Sequence, residues 1–296
     1  MAGKARPEVP SRREGHGDAP VGTGSMAERV PIFDSLTHPT LTGAWIDREG
    51  SPAGIGVLTA GMDRNHVRWA LAVGMEGIGG YDEEMYAAFV LQEDKRLIPV
   101  AYVNPGSIGS PRKAKSRMSR IASLGYAGIK IHPRLAGITF RHPILPAVIH
   151  AANEKGLFTL LCTYPYHRNM SSESYGMEHL AALLEETREC RVVLLHGGGV
   201  RLLEVIELAR CFDNVLVDVS FTLCKYEGSS IDLDLAYAFS RFDARVCIGS
   251  DFPDFSPTDL RRRFSSLAKD IPIEKMENVA YRNLLAFTGM NEHEAF

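Results

Sequence analysis

The chain has 296 residues, 45% of them hydrophobic and 23% charged, with a formal net charge of −3. These proportions belong to a folded globular protein, and without a long basic run to grip a phosphate backbone the expected partner is a small molecule rather than nucleic acid. No window approaches about 18 uninterrupted apolar residues, so no membrane span is predicted. The five cysteines are odd in number and scattered, which predicts reduced thiols and a cytoplasmic location.

Residues 1–27 open with MAGKARPEVPSRREGHGDAPVGTGS, rich in Gly, Pro, Arg and Ser and without an apolar stretch. They are predicted to be a disordered N-terminal segment or an appended tail, since they cannot bury enough apolar area to offset chain entropy. Met26 also fits a native start, with Gly24-Ser25 as a scar.

From residue 28 to 296 one pattern repeats: a short, continuously apolar run, a loop, then ten or more residues at helical spacing. Weaker runs at 32–36 and 67–73 are followed by clear ones at 97–103 (LIPVAYV), 127–131 (AGIKI), 158–162 (FTLLC), 192–195 (VVLL), 215–219 (VLVDV) and 245–248 (RVCI). Between them, MEHLAALLEETREC sets Met177, Leu180 and Leu184 on one stripe, and VRLLEVIELARCF does the same with Leu202, Ile206 and Ala209. Unbroken apolar strands alternating with helices predict a parallel sheet covered by helices. Eight such units, each roughly 30 residues long, predict a single-domain (β/α)8 TIM barrel. The rival, a doubly wound open sheet, normally carries a G-x-G-x-x-G turn after its first strand; Gly197 to Gly199 instead follow the sixth.

A barrel gathers the C-terminal tips of its strands at one mouth. Here those tips read His38, Glu76, Asn104, Lys130 with His132, Cys162, His196, Asp218 with Ser220, and Asp251. Nearly every run ends in a group that can move a proton, donate a hydrogen bond or bind a metal. Bland roles compete: His132 as a loop-fixing histidine, Cys162 as a small buried hydrophobe, Asp218 and Ser220 as caps. Asp251 is harder to explain blandly, because a carboxylate ending a buried strand is costly unless paired or used.

IFDSLTHP, GIKIHP, VVLLHGGG, VLVDVS, IGSDFP and the closing NVAYRNLLAF resemble the amidohydrolase superfamily, specifically the amidohydrolase-related group that contains aminocarboxymuconate-semialdehyde decarboxylases. The resemblance implies a mononuclear metal held by an H-x-H pair on strand one, a histidine ending strand five and an aspartate ending strand eight, with a histidine on strand six as acid or base. Position by position, the aspartate is Asp251, the strand-six histidine is His196 and the second histidine of the pair is His38, but Leu36 stands at the first histidine and Cys162 at the strand-five one. His38, Cys162 and Asp251 still form a conceivable Zn2+ or Mn2+ set if the thiol ionises. With two positions changed, no tightly bound metal is the favoured expectation; relatives such as pyrone-dicarboxylate lactonases are understood to work without one.

The leading expectation is a hydrolase of the amidohydrolase-related group that acts on a C–O or C–N bond of a small carboxylated substrate. Asp251 serves as general base, His196 as acid or electrophile, and Lys130 with His38 polarises the carbonyl. Substrate binding is assigned to His132, Arg134, Asn104, Ser220, Tyr164 and Arg168; with His167 the basic ones form a positive collar for a carboxylate or simply a solvated rim. The alternatives are a metal-dependent hydrolase or decarboxylase using His38, Cys162 and Asp251, a Cys162–His196 nucleophile pair, and a binding barrel without catalysis. The resemblance also favours a homodimer.

Overall fold

A computed structural model describes residues 26–46, 50, 52–166 and 176–290. Eight strands run in chain order: β1 Ile32–Thr37, β2 Val67–Val73, β3 Leu97–Val103, β4 Gly128–Ile131, β5 Phe158–Cys162, β6 Val192–Leu195, β7 Val215–Asp218 and β8 Val246–Cys247. Each pairs in parallel with the next. The sheet curls until β8 meets β1, where Ser35 N donates to Ile248 O (3.0 Å), Asp251 N to Leu36 O (2.9 Å) and His38 N to Phe252 O (2.7 Å). The expected TIM barrel is therefore present, and the closing bonds fall on the stretch that carries His38 and Asp251.

The unbroken apolar runs have a physical reason: one face of each strand fills the barrel and the other meets a helix, so β1 and β3 are buried at every residue. The helices Met177–Glu186 and Leu202–Arg210 bury Leu180 and Leu184, and Leu202, Ile206 and Ala209, as their spacing requires. The short helix Met26–Arg29 takes in two residues of the segment expected to lack structure. Ala27 is buried there, and the guanidinium of Arg261 donates to Ala27 O (2.7 Å) and Val30 O (2.8 Å). Residues 1–25 lie outside the described residues. All five cysteines are free thiols, and among the described residues no helix is long and apolar enough to cross a membrane.

Candidate active site

The strand tips converge on a cavity of about 300 Å³, near the lower end for small-ligand sites. His38, Lys130, His132, Arg134, Tyr164, His196 and Asp251 line it, joined by Trp45, Ile46, Met75, Leu135, Phe221 and Asp254, which the sequence did not single out. Three of the lining residues hold left-handed backbone: His196 at φ 66°, Phe221 at φ 60° and Asp251 at φ 57°. Such conformations are costly for residues with a Cβ and cluster at functional sites. Gly197, Gly198 and Gly199 continue the left-handed turn after β6, and a Cβ on Gly199 would lie 2.9 Å from the Tyr164 ring, so these glycines let that ring close over His196.

On one side, His38 joins Lys130 and Asp251. Its Nδ1 meets Val73 O at 2.8 Å, and since a carbonyl only accepts, that nitrogen carries the proton. Nε2 is left as a lone pair, which takes an N–H from Lys130 Nζ at 2.9 Å; Asp251 Oδ1 lies 3.5 Å away. Burial, reinforced by Lys130, pushes the His38 pKa down to about 4, and burial lowers that of Lys130. Burial would raise the pKa of Asp251, but the neighbouring imidazoles, His38 at 3.5 Å and the proton-holding His196, outweigh it and hold the carboxyl well below the usual range. Trp45 stacks on His38 at 5.6 Å and closes this side from above.

On the other side, His196 is fixed from behind. Its Nδ1 lies 3.2 Å from both Ser220 O and Ser220 Oγ; Ser220 Oγ donates to Asp218 Oδ1 (2.5 Å), and Asp218 also accepts from His196 N (3.0 Å) and from Ser35 Oγ. The proton on Nδ1 therefore points at Ser220, leaving Nε2 as the exchanging nitrogen. Burial opposes protonation of His196, but the charges of Cys162, Asp251 and Asp218 prevail and raise its pKa. Cys162 is buried against His132 and His196; desolvation disfavours its thiolate, yet those two imidazoles pull its pKa well below the ordinary value.

The candidate substrate-binding residues divide. His132 lines the cavity and fixes its loop, accepting from Leu135 N at 3.3 Å. Arg134 lies against the Tyr164 ring, 5.1 Å from its centroid, and donates to Tyr166 O (3.2 Å); its buried Nε has no hydrogen-bond partner among the described residues. Asn104 instead caps the turn Pro105–Ser107 through Gly106 N (2.9 Å), and Ser220 is fully buried behind His196. Glu76 is exposed. His167 and Arg168 lie outside the described residues. A further carboxylate sits beneath the mouth: Asp34, fully buried, accepts from Ser250 N (2.8 Å), Ser250 Oγ (2.6 Å) and Leu36 N (3.2 Å), and so pins the turn that presents Asp251.

The donors present do not fit the mononuclear metal that the resemblance implies. Leu36 puts a fully buried isobutyl group at the first histidine position. The Nε2 lone pair of His38 is already taken by Lys130, and Cys162 faces His132 and His196. Among the described residues, no three His, Cys, Asp or Glu side chains group as metal holders.

The amidohydrolase family profile matches residues 52–283, a stretch that begins after β1 and takes in β2 to β8. No curated protein is significantly similar in sequence. Solved structures share the fold at low identity. An uncharacterized TIM-barrel protein from Bordetella bronchiseptica is 18% identical with a TM-score of 0.72, over 88% of this chain and 99% of that one. A probable 2-pyrone-4,6-dicarboxylic acid hydrolase from Acinetobacter baumannii, with citric acid bound, is 14% identical with a TM-score of 0.63, over 88% and 99%. A 5-carboxyvanillate decarboxylase from Novosphingobium aromaticivorans, complexed with manganese and a nitrobenzoic acid, is 13% identical with a TM-score of 0.58, over 90% and 98%. With its family profile matched across more than three quarters of its length, the chain belongs to the amidohydrolase family of enzymes.

Proposed function

We propose that this enzyme hydrolyses a C–O or C–N bond of a small carboxylated substrate without a tightly bound metal. One observation carries the reading: a carboxylate held ionised, Asp251, shares a single small cavity with a proton-holding imidazole, His196, and a donor amine, Lys130. In this reading a water oxygen bonds to the substrate carbonyl carbon as Asp251 takes its proton, and an N–H of Lys130 holds the developing oxyanion. When the tetrahedral species collapses, the C–O or C–N bond breaks and the leaving atom takes a proton from Nε2 of His196. A low pKa makes Asp251 a weak base in Brønsted terms, so its larger contribution is to orient the water, and His196 carries the heavier proton-transfer role. Arg134, with an unpartnered Nε and its guanidinium against Tyr164, is assigned the substrate carboxylate. Trp45, Leu135 and Phe221 present apolar surface to the carbon skeleton.

Turnover of a panel of carboxylated lactones and amides by Asp251→Asn and His196→Asn tests this. Each substitution is expected to lower kcat roughly 10² to 10⁴-fold, and full turnover by both variants overturns the reading. The manganese in the Novosphingobium decarboxylase is what would favour a Zn2+ or Mn2+ hydrolase or decarboxylase using His38, Cys162 and Asp251, but buried Leu36 and the His38–Lys130 hydrogen bond weigh against that set here.

A further inference from the structure

Lys130 reaches the cavity wall from the tip of β4 with its side chain only 1% exposed. Among the described residues, Nζ has one hydrogen-bond partner, the neutral Nε2 of His38 at 2.9 Å, and makes no ion pair. Burying an ammonium in that setting is expensive, because a charge out of water needs a counter-charge in contact and acceptors for all three protons. A neutral amine needs far less: one N–H donated to His38, and a lone pair left for the cavity. Lysines in such surroundings are the ones that act as carbon nucleophiles.

We propose that Lys130 forms a covalent imine with small keto acids that enter the cavity. The nitrogen lone pair bonds to the keto carbon while the C=O π pair moves to oxygen. His38 Nε2, 2.9 Å from Nζ, is placed to take the proton that the attacking amine sheds. His196 supplies a proton to the oxygen, giving a hydroxyl; the proton held by His38 then passes to that hydroxyl, which leaves as water with the C–O electron pair while the nitrogen lone pair forms the C=N bond, and the last N–H proton returns to His196, so that the amine's two hydrogens balance one released water. The substrate carboxylate sits with Arg134 and His132 on the same wall. This chemistry goes beyond hydrolysis, in which Lys130 donates a hydrogen bond and forms no bond to carbon.

The test is reductive trapping on the full chain: incubation with pyruvate or acetoacetate and sodium borohydride, intact mass measurement, and peptide mapping. The expected result is one reduced adduct, mapped to the peptide containing Lys130, formed at least tenfold faster than at any exposed lysine and missing in Lys130→Arg. The mapping is done on the unmodified sequence, so it decides the matter even if that variant fails to fold. An unmodified Lys130 peptide, with labelling absent or spread over surface lysines, overturns the proposal.

Discussion

Asp34→Asn is expected to stabilise the barrel, and to do so only as the pH rises. Asp34 is fully buried, and desolvation, outweighing the hydrogen bonds from Ser250 and Leu36, pushes its pKa up to about 7. The same carboxyl in the unfolded chain titrates near 3.9. Between those values the folded state binds the extra proton, so stability falls as pH rises through the window and is level above it. A shift of about three units at roughly 1.4 kcal/mol each makes the penalty at neutral pH about 4 kcal/mol. Asparagine keeps the shape: its oxygen accepts from Leu36 N and Ser250 N, and its amide donates to Ser250 Oγ once that hydroxyl rotates. Urea unfolding of both proteins across the pH range gives the answer. The variant is expected to match the parent near pH 4 and to exceed it by up to about 4 kcal/mol above pH 7. Parallel profiles would refute the reasoning, because they would mean that Asp34 carries its charge in the fold without penalty.

Arg134→Met is expected to raise KM about 10 to 100-fold with little change in kcat, the loss of a charge-assisted bond to the substrate carboxylate; a fall in kcat at constant KM contradicts that role. Turnover should collapse as pH falls through about 4, where Nε2 of His38 gains a proton and can no longer accept from Lys130. A pH–rate profile that stays level below that point argues against the His38–Lys130 pairing.

The barrel was legible in the sequence because each strand is buried on both faces and each helix on one stripe, and both requirements write themselves locally. The mouth was legible for the same reason: His38, Lys130, His196 and Asp251 are polar residues ending apolar runs. What escaped depends on closure between distant segments. Trp45 and Phe221 enter the cavity from loops whose paths are set by packing, although an aromatic soon after a strand tip was a usable signal. Asp34 meets Ser250 only because β8 closes on β1, and its place inside an apolar strand was the one local hint. Ser220 offered a hydroxyl at a strand tip, but only the folded barrel brings it behind His196. Cys162 aligned with a metal-ligand position, yet its neighbours across the barrel are His132 and His196.

Turnover after exhaustive chelation, with metal content measured on the same sample, tests most directly whether Asp251, His196 and Lys130 suffice for hydrolysis. Unchanged turnover at far less than one metal ion per chain is the expected result. Activity that disappears with the metal and returns in proportion to added Zn2+ or Mn2+ would contradict it.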